Sequence, residues 1–332
     1  MSDLNWMQRY AASEMLELGE EGRLDRRSVL RYLTMICGST AAAGAFLAAC
    51  GSDGNTSTSS TSAPSPSNEN RSSTSDASST TSTPPTSIVP PVEGEAGHVL
   101  SVAVDDPDVR ASNIEFDGPA STMFGYLAEP AAAGTYPGVV VIHEIFGLND
   151  HIRDVARRLA KVGFIAIAPD LASRAGGSAT AENVPGVLTS GPVEDRVADL
   201  DAAASRLAAV DSFSGALGVI GFCFGGGMTL SFAAANPDVR VAVPYYGPTP
   251  DPAADIADTN AAILAHYGAT DDRVNAGIPT LETAMQGKTL EVRVWDGAGH
   301  AFNNDTLPTY VEQTAIDAWT ETVNWLATHL AG

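Results

Sequence analysis

Cysteine is scarce in this chain of 332 residues: three in all, Cys37, Cys50 and Cys223. The first two lie near the N-terminus, so the body of the chain holds one thiol and no partner for an internal disulfide. Positive charge is short as well, with 18 Lys and Arg against 40 Asp and Glu and a formal net charge of -22. A chain without a basic stripe is not built to hold nucleic acid, and its charge speaks of solubility rather than of fold. No Cys-x-x-Cys or His-x-x-x-His pair occurs, which argues against a metal centre; neither a metal nor any other cofactor is expected. A Gly-x-Ser-x-Gly run is also missing, which counts against a serine lipase or peptidase. Long unbroken apolar runs are lacking too. The greasiest N-terminal stretch, Tyr32 to Ala49, is interrupted by Thr34, Gly38, Ser39, Thr40 and Gly44, short of the about 20 apolar residues that a membrane-spanning helix needs.

That stretch has another reading. It follows Arg26 and Arg27 and ends in Leu47-Ala48-Ala49-Cys50-Gly51. A positive region, an apolar region and a small-residue cleavage site together make an export signal. The arginine pair resembles the twin-arginine class, which carries folded proteins, and the ending resembles a lipobox in which Cys50 is acylated. Residues 1–49 are therefore expected to be an export signal, with 25 residues ahead of the arginines, unusually many for such a region. Residues 50–95, dominated by Ser, Thr, Pro and Asn, cannot bury enough surface to offset chain entropy and are expected to form a disordered stalk. Residues 96–332 are of a size for one domain. The expected location is the outer face of the cytoplasmic membrane, held by a lipid anchor, or the periplasmic or extracellular space, as a monomer.

Within that domain, short β-branched apolar runs recur at 137–144, 163–171, 215–222, 239–247, 261–268 and 290–297. They are nearly continuous, as for strands buried on both faces. Helical patterns lie between them. One carries Ile152, Val155, Leu159 and Val162 on one face, with Asp150 as cap and Gly163 as stop; a second carries Val197, Leu200, Ala204 and Leu207. A last helix is predicted over 308–330. Strands alternating with helices imply an α/β fold with a mostly parallel sheet and helices on both faces. The segments "HVLSVAV" (98–104) and "TMFGYLAEP" (122–130) alternate more and are predicted as antiparallel edge strands.

Sites in such sheets gather at the carboxyl ends of the strands. Cys223 sits at one, in Gly221-Phe222-Cys223-Phe224-Gly225. Glycines two before and two after the apex remove side chains that a sharp strand-to-helix turn would crowd. The apex would then be exposed at a helix N-terminus, where a thiolate is favoured. The competing reading is a buried cysteine in a glycine-rich packing contact. A nucleophile needs a base, and the base an orienting acid. Asp271 and His300 each follow a predicted strand, in the order nucleophile, acid, base expected of this fold. Asp272 competes with Asp271, which has the better spacing from the strand end.

The motifs "HEIFGLNDHIRDVARRLA", "APDL", "GFCFGGG", "YGATDDRVNAGIP" and "GHAFNND" resemble those of the dienelactone hydrolases, over about Ile114 to His329. The resemblance implies an α/β-hydrolase fold and a Cys-His-Asp triad acting on small esters or lactones through an acyl-thioester. Carried over, Cys223 is nucleophile, His300 base and Asp271 acid. Glu144, in the "HEIFG" turn, would help set the ionisation of the thiol, or, more simply, cap the following helix. Backbone N–H groups of Phe224 and Ile145 would form the oxyanion hole. The family holds a substrate carboxylate with two arginines. Arg174 stands near one of these places and Asn304 at the other, so both are candidate substrate contacts, together with Tyr246; Tyr245 and Trp295 are open between pocket and core. The alternative is a non-catalytic lipoprotein that keeps the fold to bind a ligand.

Overall fold

The computed structural model describes residues 4–37, 43 and 100–331; Cys50 and the segment expected as a stalk lie outside them. In chain order the elements are α1 (Trp6–Glu20), α2 (Arg26–Cys37), β1 (Val109–Asp117), β2 (Thr122–Pro130), β3 (Tyr136–Ile142), α3 (Asp150–Lys161), β4 (Ile165–Pro169), α4 (Val184–Thr189), α5 (Val193–Ala208) and β5 (Phe213–Phe222). There follow α6 (Phe224–Ala235), β6 (Val239–Tyr245), β7 (Ala262–Gly268), α7 (Asp272–Asn275), α8 (Ile278–Ala284), β8 (Leu290–Trp295) and α9 (Glu312–Leu330). All eight strands form one sheet in the order β1-β2-β4-β3-β5-β6-β7-β8. β1 and β2 run antiparallel to their neighbours, and every other pairing is parallel.

The apolar runs are continuous because helices cover both faces. A Cβ on Gly138 would point into Leu207 of α5, whereas one on Gly218 would point at Leu326 and Leu330 of α9. Gly138 pairs with Leu217, and Val139 with Gly218. The register thus puts α5 and α9 on opposite faces, since side chains alternate along a strand. Val139 to Ile142 between these layers are fully buried, each contributing about 1.5–3 kcal/mol of hydrophobic stabilisation.

Three expectations change. "HVLSVAV" is not a strand over its described residues, 100–104. Side chains of α3 take its backbone groups: Asp154 accepts from the Val102 N–H at 2.8 Å, and Arg157 Nε donates to the Val102 carbonyl at 2.7 Å. The antiparallel edge is β1 instead. β8 is half-buried rather than covered on both faces, because it closes the sheet; its Arg293 pairs with Glu291 and Glu321, charges of the kind that blunt an edge. The cap of α3 is Asn149, whose side chain accepts from Ile152 N–H at 3.0 Å, with Asp150 inside the first turn.

The N-terminus is folded over its described residues. Residues 4–37, set apart by the sequence as export signal, form two helices docked on the domain. α1 is opened by Asn5 and Gln8, each side chain accepting from the other's backbone N–H at 2.9 and 3.1 Å. This reciprocal cap fixes the start of the helix. Its face of Trp6, Met7, Tyr10, Ala11, Met15 and Leu18 is buried. Among the described residues no helix is long and apolar enough to cross a membrane.

Candidate active site

β5 ends at Phe222 and α6 begins at Phe224, so the chain reverses about Cys223 alone. A Cβ on Gly221 would collide with the Gly225 carbonyl and Thr229; one on Gly225 would collide with the carbonyls of Ile142 and His143. Only glycine allows strand and helix to close this tightly. Cys223 itself adopts φ 57 and ψ −122, a backbone state costing about 1–3 kcal/mol outside glycine. It is pinned there by its N–H on the Tyr245 carbonyl (3.0 Å) and by its own carbonyl, which accepts from Gly226 (2.9 Å). The N–H of Phe224, first in α6, has no acceptor within its own helix and lies at the positive end of the helix dipole.

The next two parallel connections bring up the partners. Asp271 follows β7 and caps α7, accepting from Val274 N–H at 3.3 Å. His300 lies in the loop after β8. Its Nδ1 stands 2.5 Å from Asp271 Oδ2, and its other face turns toward the thiol. Asp272 is exposed on the outside of α7, so the geometry puts Asp271, not Asp272, beside the ring. The remaining buried histidines are engaged elsewhere. His143 accepts from Leu171 N–H at 3.1 Å, His151 meets Asp305 at 3.0 Å, and His266 accepts from Trp295 Nε1 at 3.2 Å.

Burial pushes the Cys223 thiol up from its ordinary pKa, and the Glu14 carboxylate adds to this, against the pull of His300. For His300, burial disfavours the imidazolium. The Glu14 charge and the Asp271 bond outweigh that and hold its pKa well above the usual histidine range. Asp271 is drawn below its ordinary value despite burial, by the bond to and the charge of His300.

Glu144, buried at the end of the β3 turn, is raised by desolvation. It does not cap α3; its Oε2 accepts from Asn304 Nδ2 at 2.7 Å. Asn304 also accepts from Thr306 N–H and Oγ1 at 3.0 and 2.6 Å, so its carbonyl is engaged locally while its amide supports Glu144. The fork of Arg174 is closed on Asp199, with Nε 2.9 Å from Oδ2, and on the Asp195 carbonyl at 3.0 Å. An acid on α5 in reach of the turn after β4 claims the guanidinium. Tyr246 is buried with its ring 5.1 Å from that of His300 and its backbone at φ 37. Ile145 is buried next to Glu144. Tyr245 and Trp295 belong to the core, against Thr322 and His266.

Three residues that the sequence left unnoticed complete the site. Tyr10 of α1 places its hydroxyl 3.1 Å from Cys223 Sγ and 3.4 Å from His300 Nε2. Glu14, one turn on, lies 3.6 Å from His300 Nε2 and accepts from Arg273 at 2.6 Å. The Arg273 guanidinium sits over the Tyr10 ring, 4.8 Å from its centroid. The reciprocal Asn5–Gln8 cap and the apolar spacing Trp6, Tyr10 were the available clues to a folded α1. Ligand atoms of Glu14, Cys223 and His300 lie within 4.8 Å of one another, a spacing that a cation could bridge. Each is already engaged, by Arg273, Tyr10 and Asp271 respectively.

A mostly parallel eight-stranded sheet with a cysteine on a strained strand-to-helix turn defines an α/β-hydrolase. Residues 123–330 match the model of the dienelactone hydrolase family. The chain belongs to that family and is a hydrolase acting on ester or lactone bonds. It is similar to a "Putative carboxymethylenebutenolidase" of Methylorubrum extorquens, 35% identical over 242 residues covering 68% of this chain and 83% of the relative. A protein of the same name from Salmonella typhimurium is 35% identical over 251 residues, covering 70% and 93%. Among solved structures, a "Putative Dienelactone Hydrolase" from Klebsiella pneumoniae superposes with a TM-score of 0.62 at 36% identity, over 66% of this chain and 98% of that one. A dienelactone hydrolase-like promiscuous phosphotriesterase from metagenomic libraries gives 0.57 at 27% identity, over 68% and 100%.

Proposed function

We propose that the protein cleaves small ester or lactone substrates through a Cys223–His300–Asp271 triad and an acyl-thioester. One observation carries this: the strained thiol at the apex of the β5–α6 turn shares its surroundings with an imidazole bonded to a carboxylate. In this reading His300 in its neutral form takes the thiol proton, and Cys223 Sγ attacks the carbonyl carbon. The N–H groups of Phe224 and Ile145 hold the oxyanion as it forms. His300 then protonates the departing alkoxide, leaving a thioester. Water, deprotonated by His300, attacks that thioester in the second half; the acid is released and the proton returns to sulfur. Asp271 keeps the ring in one tautomer and offsets its charge. Glu144 keeps a carboxyl group near the nucleophile and adjusts its ionisation. No cofactor takes part, and the unit is a monomer. Membership of a hydrolase family lends no support to a non-catalytic ligand-binding role.

The proposal extends to location: export as a folded chain, with anchoring through Cys50. The exposure of Arg26 and Arg27 at the start of α2 supports it, because a carrier can read that pair without unfolding the domain. The function is tested on a panel of activated esters, a lactone and a phosphotriester. Cys223→Ala should remove turnover while leaving the thermal transition in place, and turnover equal to that of the parent chain would sink the proposal.

A further inference from the structure

A carbonyl carbon about to be attacked has to come within about 3–3.5 Å of the sulfur. That place is taken. The Tyr10 oxygen lies 3.1 Å from Sγ, inside the same radius, so a substrate and Tyr10 exclude each other. Cys223 is accordingly only 3% exposed and His300 9%.

The occupation is not one stray side chain. α1 is fastened along its length by contacts remote from the thiol. The Trp6 ring lies over Gly227, where a Cβ would come within 2.9 Å of it, and Arg9 pairs with Asp251 at 2.6 Å. Asn5 Nδ2 donates to the Gly191 carbonyl at 3.1 Å. At the other end Arg273 grips two of the three acids of the helix, Glu14 at 2.6 Å and Glu17 at 2.8 Å, with the Tyr10 ring beneath its guanidinium. Aromatic, acid and arginine form one interlocked unit over the nucleophile. We propose that α1 is a built-in, displaceable plug of the active site, with Tyr10 standing where the substrate carbonyl belongs and Arg273 as its latch. The proposal rests on Cys223 being the nucleophile.

The plugged site is also chemically quiet. Burial and the nearby Glu14 charge both favour the neutral thiol, and undocking α1 removes both. Residues 6–20 lie upstream of Cys50, so a cut ahead of Cys50 in the expected processing would carry the plug away and leave the domain open. Two properties would then reside in one segment, an address on α2 and a stopper on α1.

The test uses the full chain and a full-length variant with Trp6→Asp and Arg9→Asp, two seats of α1 outside the reacting groups. Iodoacetamide labelling of Cys223 is followed by peptide mapping, since Cys37 and Cys50 also carry thiols, and p-nitrophenyl acetate turnover is followed in parallel. Unseating α1 should speed Cys223 labelling by about tenfold, the effect of a change of about 1.4 kcal/mol in a local opening equilibrium, and raise turnover with it. A synthetic peptide of residues 1–25, added in excess, should slow labelling again, and the same peptide with Tyr10→Ala should protect less. Protection by the peptide also shows that the unseated face is still folded. Equal labelling rates in the two chains, or turnover that falls once α1 is unseated, would overturn the plug. Faster labelling with no ester cleaved by either chain would leave the plug standing and remove the hydrolase reading instead.

Discussion

Asp271 Oδ2 and His300 Nδ1 lie 2.5 Å apart, although they stand on loops after different strands, β7 and β8. The adjacent parallel pairing of those strands, with Gly268 opposite Trp295, brings the two loops to one end of the sheet. Replacing Asp271 by Asn keeps the size and loses the charge that orients and balances the imidazolium. Turnover by Asp271→Asn should fall on the order of a hundred- to ten-thousand-fold, while Asp272→Asn should stay near the parent value. Steady-state kinetics on one activated ester, for both variants, decides between the neighbours.

The raised pKa of His300 has a consequence for stability against pH. A histidine that binds its proton more tightly folded than unfolded stabilises the fold fully below its unfolded value, about 6.5. That contribution is lost as the pH rises through the higher folded value. Cys223, also raised, acts in the same direction. Thermal midpoints should therefore decline from neutral toward alkaline pH, and His300→Gln should flatten that decline. A slope unchanged in the variant would contradict the assignment of the shift to His300.

The turn at Cys223 should be intolerant of any added side chain. Gly225→Ala places a methyl group against the Ile142 and His143 carbonyls, and backbone at a sheet end cannot yield as a flexible side chain can. A loss of roughly 2–4 kcal/mol is expected, read as a lower denaturation midpoint in urea at unchanged slope. Turnover per folded molecule should fall as well, because the apex shifts with the helix start.

Asn304 and Glu144 form a buried couple joined at 2.7 Å. Asn304→Ala strips a donor from a buried carboxyl group, at a cost of about 1–3 kcal/mol. Adding Glu144→Gln removes the orphaned acid and should restore part of the loss. A double-mutant cycle with no coupling between the two positions would show that the contact carries no energy.

The parallel sheet, the six apolar strands, the glycine-bracketed turn and the chain order of Cys223, Asp271 and His300 were all legible in the sequence. Each rests on local chemistry: period, β-branching, a missing Cβ, a short strand-end spacing. Where a long-range partner decides, the sequence was mute. "HVLSVAV" alternates like a strand, yet Asp154 and Arg157 take its backbone; Arg174 stands near a clamp position, yet Asp199 takes its fork. The N-terminal segment is the sharpest case. Its composition suits a leader, and nothing local says that Tyr10 will lie against a sulfur 213 residues away. The turn at Cys223 was decided by sequence because a tight turn needs particular residues at fixed offsets. Its cover was decided only by tertiary structure, because packing depends on surfaces that come into being once the sheet has assembled.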